Sequence, residues 1–550
     1  MFIATIHTKT KSGEISHTAY VLRESYREGK KVKSRTIANL SHCSKEEITA
    51  ITWALKNKKD INQITPNIQS SIAGKRFGAV YCVHEILKKY GIVKIFGNSL
   101  NGKLGLLQII SRVINQGSRL STIRTAGHQA LCEVLQIEDK ISEDNLYKNL
   151  AWLSDNQKSI EQKIFQERYK SGSPALYLYD VTSSYFEGQN NELANYGYNR
   201  DKKSGKKQVV AGLLCDPEGY PITIEIFEGN TLDFNTLEHQ IKRVAKDFNC
   251  KMVTFVGDRG MIKSKQIESL TANDFYFITA ITKPQIEKLL QSNVLQMSFF
   301  DTELKETEYD SVRYILRRNP ARAEEISRTR TSKQMKIETL CKTKNEYLKA
   351  HPKAQVSTAV RALESKINKL KLGSYVSVVE SSENNRELII LINNEELSEI
   401  SRLDGCYVIK SNLPKDIDKS TIHSRYKDLS QVETAFKHLK TETLELRPWF
   451  VLKEESTRGH AFVAMLAYMV VKYLQKAWID KDITVNEGLT VLDSLIMIEE
   501  TLITGESYNK IPEPNIKMKE LLDAAKIKIP KIFPKVNVNV GNRKKLTRKG

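Results

Sequence analysis

The middle of the sequence predicts an α/β fold with a mixed sheet, because its apolar runs occur in a distinctive order. Residues 174–228 contain three strand-type runs, PALYLYD, KKQVVAGLLCD and GYPITIEIFEG, and the turn-forming residues DPEG at 216–219 join the second to the third. An amphipathic helix (TLEHQIKRVAKDF), a buried-type strand (KMVTFVGD), a helix (SKQIESLTAN) and a strand (FYFITAI) follow. This order of elements is that of a ribonuclease-H-like fold.

The N-terminal part of the chain predicts two further regions. Residues 1–45 alternate polar and apolar positions, which favours a small β-rich unit, and a basic stretch within it, RESYREGKKVKSR, surrounds Tyr26. Residues 46–170 are predicted to be helical, since amphipathic runs begin after a capping-box pair, Ser44 and Glu47. The sequence leaves open whether this helical region binds a partner or is a scaffold.

The second half of the chain predicts an interruption of the α/β order. Residues 284–400 are basic and helical after Pro320, with two β-type runs, SYVSVVESS and ELIILINN, and are predicted to form an insertion domain. The core is then composed of 171–283 and 401–480, because the strand-type run GCYVIKSN resumes the pattern. Residues 481–550 are predicted to be a helical and basic C-terminal tail.

Composition restricts the class of protein. The chain has 550 residues, which suggests three or four domains, and its net charge of +20 indicates a polyanionic partner, most often nucleic acid. The alternative is a basic surface that serves only solubility. Seven dispersed cysteines without a CxxC pair argue against zinc fingers and favour a reducing compartment. The longest apolar run, 461–471, is about half of what a bilayer requires, so it predicts a buried helix and no membrane span.

Five residues are candidates for chemistry. Tyr426, Glu433 and Lys440 are spaced by seven, so on one continuous helix they would share a face. Asp180 and Asp258 each end an apolar run, where open α/β sheets place their sites. Three carboxylates from distant segments suit a pair of Mg²⁺ ions that activate a phosphodiester, and Asp180, Asp258 and Glu433 are the predicted ligands.

Each acid also has an ordinary structural explanation. Asp180 could cap a turn, Asp258 could begin the turn DRG, and Glu433 could pair with Lys437 on an exposed helix face. The three acids in fold order outweigh these alternatives. The sequence has no phosphate-binding P-loop and no GxGxxG after a strand, which argues against an ATP-driven or dinucleotide mechanism.

Taken together, these motifs resemble the DDE (Asp-Asp-Glu) transposases of bacterial insertion sequences, in the group with a Tyr-x2-Arg-x3-Glu-x6-Lys signature. The sequence supplies Tyr426, Glu433 and Lys440, but Leu429 stands where the signature has arginine. The runs DVTSSYFEG, GDRGM, LDGCYVIKSN, ELRPWF and GHAFVAMLAY are also similar to this family. The similarity extends from VLRESYREGKKVKSRTIANL to the end of the second core segment at residue 480.

The resemblance implies a ribonuclease-H-like catalytic core split by an insertion and two Mg²⁺ ions, for which Mn²⁺ can substitute. It implies that Tyr426 and Lys440 contact DNA phosphates, and that the partners are double-stranded insertion-sequence ends and target DNA. A homodimer on DNA is expected because two ends must be paired, and the expected location is the bacterial cytoplasm, at the nucleoid. The helical region 46–170 becomes a candidate for DNA-end recognition. Whether Arg425 or Lys427 replaces the missing arginine stays open.

Three functions remain under consideration. The leading hypothesis is a DNA transposase, in which a metal-activated water hydrolyses the phosphodiester at a transposon end and the freed 3′-hydroxyl attacks target DNA. The second is a DNA-binding protein of the same fold that no longer cuts, for which Leu429 is the support. The third is a metal-dependent nuclease without joining activity.

Overall fold

The structure, a computed structural model, describes most of the chain. The described residues are 1–9, 15–29, 31–56, 68–188, 190–198, 200, 203, 205–301, 303–382, 386–441, 444, 446, 449, 451–502 and 505–536. Parts of several predicted features lie outside them, among them residues 10–14 and Lys30 of the N-terminal unit, residues 57–67 of the helical region 46–170, four residues of the run ELRPWF (Glu445, Arg447, Pro448 and Phe450) and residues 537–550 of the basic tail.

The described residues form seventeen strands in four sheets. Their bounds are β1 Phe2–Lys9, β2 Ile15–Glu28, β3 Lys31–Asn39, β4 Ile68–Arg76, β5 Leu176–Tyr185, β6 Gln208–Cys215, β7 Pro221–Phe227, β8 Thr254–Gly257, β9 Tyr276–Ala280, β10 Lys305–Tyr309, β11 Val312–Arg318, β12 Val376–Glu380, β13 Leu388–Ile392, β14 Cys406–Ser411, β15 Ile496–Leu502, β16 Ser507–Lys510 and β17 Ile532–Phe533.

The same residues form eighteen α-helices and a 3₁₀ turn at Met297–Phe300. The helices are α1 Lys45–Lys56, α2 Gly78–Lys89, α3 Ile92–Phe96, α4 Leu100–Ile114, α5 Arg119–Ala126, α6 Leu131–Leu135, α7 Glu143–Arg168, α8 Asp233–Lys246, α9 Ser264–Thr271, α10 Lys283–Gln291, α11 Pro320–Ala350, α12 Val356–Lys369, α13 Asn394–Arg402, α14 Lys419–Lys427, α15 Ser430–Lys440, α16 Glu454–Ala477, α17 Val485–Asp493 and α18 Ile516–Ala524.

One mixed sheet of eight strands organises the centre, in the order β10-β11-β14-β9-β8-β5-β6-β7. Strands β5, β8 and β9 run parallel, and the other neighbours pair antiparallel. The first four residues of β5 are all buried, as a central strand covered on both faces requires. The strands and helices predicted between residues 174 and 281 are present in the predicted order.

Helix α16 forms the centre of the largest apolar core and contacts α4, α7 and β7. Its sequence GHAFVAMLAYMVV is apolar around the whole circumference, and a helix of that kind is stable only when it is enclosed by other elements. Residues 459–471 are accordingly buried without a break, as predicted. No helix among the described residues has the length and apolar character needed to cross a bilayer.

Residues 284–318 were predicted to belong to the insertion, and this boundary is wrong for β10 and β11, which extend the main sheet. The prediction failed because β11 contains a buried arginine. Arg313 is 5% exposed, and its Nε donates to Glu306 Oε1 at 2.6 Å, so a residue counted as polar lies inside the core. The chain leaves the sheet after β11 and returns at β14. Helices α11–α13 and the pair β12–β13 lie between them, with an apolar cluster of their own.

The C-terminal region was predicted to be helical, and it contains α17 and α18, but β15, β16 and β17 of the same region join β4 in a four-stranded sheet. Glu499 and Glu500 suit a helix in a local window. In the fold, however, Glu500 is buried and accepts bonds from Tyr508 at 2.5 Å and Lys510 at 3.0 Å on the adjacent strand. Pairing with β4, more than four hundred residues earlier, is invisible in a local pattern.

Candidate active site

Asp180 and Asp258 occupy adjacent strands at the same level. Asp180 is the fifth residue of β5, and Asp258 directly follows β8. Parallel pairing aligns Tyr179 with Gly257, so the next residue of each strand is one of the two aspartates. Since paired strands lie about 4.8 Å apart, the two backbones are close neighbours here.

The turn expected at Asp258 is also present. Asp258 Oδ1 accepts the backbone N–H of Arg259 at 2.7 Å, and its carbonyl accepts the N–H of Met261 at 3.0 Å. The bond from Arg259 engages one carboxylate oxygen of Asp258, and the second oxygen can still accept a bond. The exposed Asp258 side chain can therefore stabilise the turn and bind a metal ion at the same time.

Glu433 is presented by the amphipathic helix α15. Four apolar side chains of the helix, Val432, Ala435, Phe436 and Leu439, are buried in the core, and α15 contacts β5. Glu433 lies on the exposed side, in the first turn, where the helix dipole stabilises a carboxylate. The packing of the apolar face thus fixes which side of the helix carries the acid.

Tyr426 does not share a helix with Glu433, contrary to the prediction. Helix α14 ends at Lys427 and α15 begins at Ser430. Between them, bonds from Gln431 N to the Asp428 carbonyl at 2.8 Å and from Val432 N to the Leu429 carbonyl at 3.0 Å tighten the chain into a 3₁₀-type turn. The spacing of seven holds within α15 for Glu433 and Lys440.

The pKa of Asp180 indicates that the other two acids lie near it. Burial raises its pKa to about 7, the backbone N–H of Val181 and the guanidinium of Arg200 oppose the rise, and the charges of Asp258 and Glu433 add to it. Charge interactions of this kind fall off with distance and are screened by water. Asp258 and Glu433 are therefore close enough for each to repel the ionised form of Asp180.

We expect Asp180→Asn to stabilise the metal-free protein at pH 8. A carboxyl whose folded pKa is raised from 3.8 to about 7 destabilises the fold increasingly as pH rises from 4 to 8. After allowance for solvent screening, the gain at pH 8 should be about 2 kcal/mol in the free energy of unfolding. Urea denaturation in EDTA at pH 5 and pH 8 measures it.

The wild type should regain that difference when Mg²⁺ is added, and Asp180→Asn should not, because a ligand stabilises only the fold that binds it. A variant that is no more stable than the wild type at pH 8 would show that Asp180 carries no electrostatic strain.

Tyr426 and the two more exposed acids line one open cavity of about 490 Å³. Besides Asp258, Tyr426 and Glu433, its wall includes Arg259, Lys283, Tyr407, Lys427 and Leu429. Burial raises the pKa of Tyr426 to about 12, and the Asp258 charge adds to this while Arg259 opposes it. The phenol therefore keeps its proton at neutral pH and is available as a hydrogen-bond donor.

Lys440 lies against the sheet at the opposite end of α15 from Glu433. Its ammonium donates to the backbone carbonyl of Ser183, three residues after Asp180 on β5. The structure thus places Asp258, Glu433 and Tyr426 around the cavity, with Asp180 beside Asp258 in the sheet, and places Lys440 farther along β5.

The segment that carries this arrangement matches a known family. Residues 172–470 match the model described as the transposase DDE domain, which is more than half of the chain. Residues 3–69 match the N-terminal domain of IS1634 family transposases. The chain belongs to the DDE transposases. Its function is DNA transposition, and the resemblance of its motifs to insertion-sequence transposases is confirmed.

Two solved structures are similar to the transposase at low identity. One is the piggyBac transposase synaptic complex with hairpin DNA, at 9% identity over 77% of this chain and 69% of that chain, with a TM-score of 0.35. The other is the Mos1 transposase paired-end complex with the left transposon end, at 11% identity over 42% of this chain and 66% of that chain, with a TM-score of 0.15. At these scores neither supports an argument about this chain. No curated protein matches the transposase.

Two arginines beside the acids of the transposase were not predicted. Arg200 lowers the pKa of Asp180 and donates to Asp233 at 2.5 Å. It lies between β5 and β6, where no periodic pattern marks it. Arg259 acts on Tyr426 and lines the cavity, and its position directly after Asp258 is the signal that could have identified it.

Leu429, which departs from the family signature, is 7% exposed and belongs to the main apolar core while also lining the cavity. Of the two suggested replacements for the signature arginine, Lys427 lines the same cavity. Arg259 and Lys427 therefore supply positive charge around a position that is itself apolar.

Metal coordination is not preassembled in the described part of the transposase. No three His, Cys, Asp or Glu side chains there stand together in a metal-holding arrangement. The donor set nevertheless suits a hard divalent cation, since it consists of carboxylates, and the repulsion of Asp180 by Asp258 and Glu433 adds to the rise in its pKa that burial causes. A cation placed among them would relieve that repulsion.

Proposed function

We propose that the transposase cuts phosphodiester bonds at insertion-sequence ends and joins the 3′-hydroxyl ends to target DNA, with Asp180, Asp258 and Glu433 holding two Mg²⁺ ions. Mn²⁺ should substitute. The observation that carries the proposal is the position of Asp180 and Asp258 at the same level of the paired strands β5 and β8, with Glu433 close enough for its charge to add to the rise in the pKa of Asp180 that burial causes. The charges of Asp258 and Glu433 both disfavour the ionised form of Asp180, and a cation bound among the three acids would offset that cost.

Strand order supports a ribonuclease-H-like core for this activity. The five strands β7-β6-β5-β8-β9 follow the order 3-2-1-4-5 of their appearance in the chain, with the first, fourth and fifth parallel. Asp180 is on the first of these strands and Asp258 directly follows the fourth. We infer that the segment between β11 and β14 is the insertion that divides this core.

The protein groups have separate tasks in this proposal. When bound, Mg²⁺ would acidify the attacking water and neutralise charge on the reacting phosphate. Asp180, Asp258 and Glu433 would hold the ions, and Tyr426 would donate a hydrogen bond to a phosphate oxygen beside them while keeping its proton. Lys440 would add positive charge along β5, and Arg259 and Lys427 would compensate for the apolar Leu429.

We expect Tyr426→Phe to weaken productive binding of cleavable DNA by about 10-fold or more, because a hydrogen bond to a charged phosphate is worth about 1.5–3 kcal/mol. The ring remains, so packing at this half-buried position is preserved. The concentration of DNA ends that gives half-maximal cleavage measures the effect. An unchanged value would remove Tyr426 from the DNA contacts.

Double-stranded DNA is the proposed partner, in agreement with the net charge of +20. We propose a homodimer on DNA, since two ends must be held together, and activity at the bacterial nucleoid. The test is cleavage of duplexes that carry the insertion-sequence ends, with Mg²⁺ and with EDTA, followed by strand transfer from precleaved ends.

The outcomes of this test distinguish the transposase from the nuclease and from the inactive DNA-binding protein. Metal-dependent cutting followed by joining supports the proposal. Cutting without joining would indicate a nuclease, and binding without either reaction would indicate a DNA-binding protein that has lost catalysis.

A further inference from the structure

The N-terminal sheet extends a two-stranded ribbon beyond its third strand. β1 pairs with residues 15–23 of β2, whereas β2 continues to residue 28 and pairs there with β3. Residues 24–28 and 31–35 therefore form a ribbon, here named the β2–β3 ribbon, that β1 does not cover. Apart from Glu24, all of these residues are exposed. A ribbon that is exposed on both faces is stabilised only where it joins the three-stranded part of the sheet, which suggests that a binding partner covers it when the protein is active.

The two faces of the ribbon differ in chemistry. Paired residues share a face, so Tyr26 and Lys33 lie on one face together with Glu24 and Arg35. On this Tyr26 face, Arg35 donates to Glu24 at 2.9 Å and lies over the Tyr26 ring at 5.8 Å, and Lys33 forms an ion pair with Glu28. The cations of the Tyr26 face are thus largely engaged.

The opposite face, the Arg27 face, presents Ser25, Arg27, Val32 and Ser34. Arg27 has no ion pair among the described residues, and Val32 is 67% exposed. A guanidinium with hydroxyls and one branched apolar group is the set of side chains that distinguishes base edges, since arginine pairs with guanine and apolar groups contact the thymine methyl.

We propose that the β2–β3 ribbon enters the major groove of duplex DNA with its Arg27 face against the base edges, and that Arg27 reads a guanine. This inference rests on the proposed function in taking DNA as the partner. The major groove, about 12 Å wide, admits a two-stranded ribbon. Five residues of strand extend about 17 Å, which is the rise of about five base pairs.

Charge and access favour the ribbon over the helical region as the reader of sequence. The ribbon has four basic side chains and two acidic ones among its described residues, so it is attracted to phosphate. Of the longer helices of the region 46–170, α4 is buried from Leu104 to Val113 and has no face left for a groove. Helix α7 packs one side along α16, and its exposed side carries three acidic and three basic residues, so that side lacks the positive charge of the ribbon.

The test is a selection experiment, in which the full-length protein binds duplexes from a pool randomised over 20 base pairs. EDTA is present so that no DNA is cut. Wild type, Arg27→Gln and Lys33→Gln are compared, and the two variants each remove one positive charge, from opposite faces. We expect the wild type and Lys33→Gln to enrich the same motif. Arg27→Gln should lose the preference for one guanine, with discrimination at that position falling about 10- to 100-fold.

The groove is tested with 7-deazaguanine at the selected guanine, which removes the N7 acceptor from the major groove. This base should weaken the wild type and leave Arg27→Gln unchanged. The inference is overturned if Arg27→Gln enriches an identical motif with equal discrimination, if 7-deazaguanine weakens both proteins equally, or if the wild type enriches no motif. Cleavage is measured separately, so a wild type that selects a motif but never cuts would overturn the proposed function and leave this inference standing.

Discussion

Asp180→Asn and Glu433→Gln should each reduce strand cleavage at insertion-sequence ends by about 1,000-fold or more, because the loss of a metal ligand removes several kcal/mol of transition-state stabilisation. Both substitutions keep the size of the side chain and remove its charge. Binding of the same DNA in EDTA should remain within about threefold of the wild type, since neither acid is expected to hold a phosphate directly.

Glu268→Gln is the matched control for Glu433→Gln. Glu268 is an exposed helical glutamate on α9 that does not line the cavity, and its substitution should leave cleavage unchanged. If Asp180→Asn or Glu433→Gln cuts at the wild-type rate, that residue is not part of the catalytic centre. If binding is lost together with cleavage, the residue acts in folding or in DNA contact.

The second large expected effect is on the affinity for DNA as salt is raised. A chain with a net charge of +20 that neutralises six to ten phosphates should bind about 10³- to 10⁵-fold more weakly in 200 mM than in 50 mM salt. Fluorescence anisotropy of a labelled duplex over that range gives the slope of log affinity against log salt. Lys31→Gln in the β2–β3 ribbon should lower the magnitude of this slope by about 1, which corresponds to the loss of one phosphate contact.

Circular dichroism at both salt concentrations controls for unfolding, and dilution back to 50 mM should restore binding. An affinity that hardly changes with salt would mean that the basic surface serves solubility, which is the alternative that composition leaves open.

Much of the central fold was predictable because its strands are local signals. The run before Asp180 is apolar at every position, as a strand buried on both faces must be, and the turn at residues 216–219 is encoded by its own residues. The failures occurred where distant partners decide the structure. Arg313 is buried because Glu306 pairs with it, and Glu500 lies in a strand because β4 and β16 flank it.

In the candidate site too, residues marked by local patterns were predictable, and those placed by tertiary folding were not. The two aspartates were identifiable because each follows an apolar run, although β5 continues beyond Asp180 to Tyr185, and Glu433 was identifiable because the apolar face of α15 leaves it outside. The break between α14 and α15 could not be identified from the sequence, because Asp428 and Leu429 both keep helical dihedral angles and only the hydrogen-bond pattern changes to a tighter turn. Arg200 belongs to the neighbourhood of Asp180 through tertiary folding alone.

In the proposed mechanism, three remote carboxylates share a pair of divalent cations. The most direct measurement is an experimental structure of the protein on a DNA end with Mn²⁺, in which anomalous scattering locates the ions. We expect two ions about 4 Å apart, bound by Asp180, Asp258 and Glu433. Ions held by other residues, or one of these three side chains remaining far from the ions in the DNA-bound protein, would contradict it.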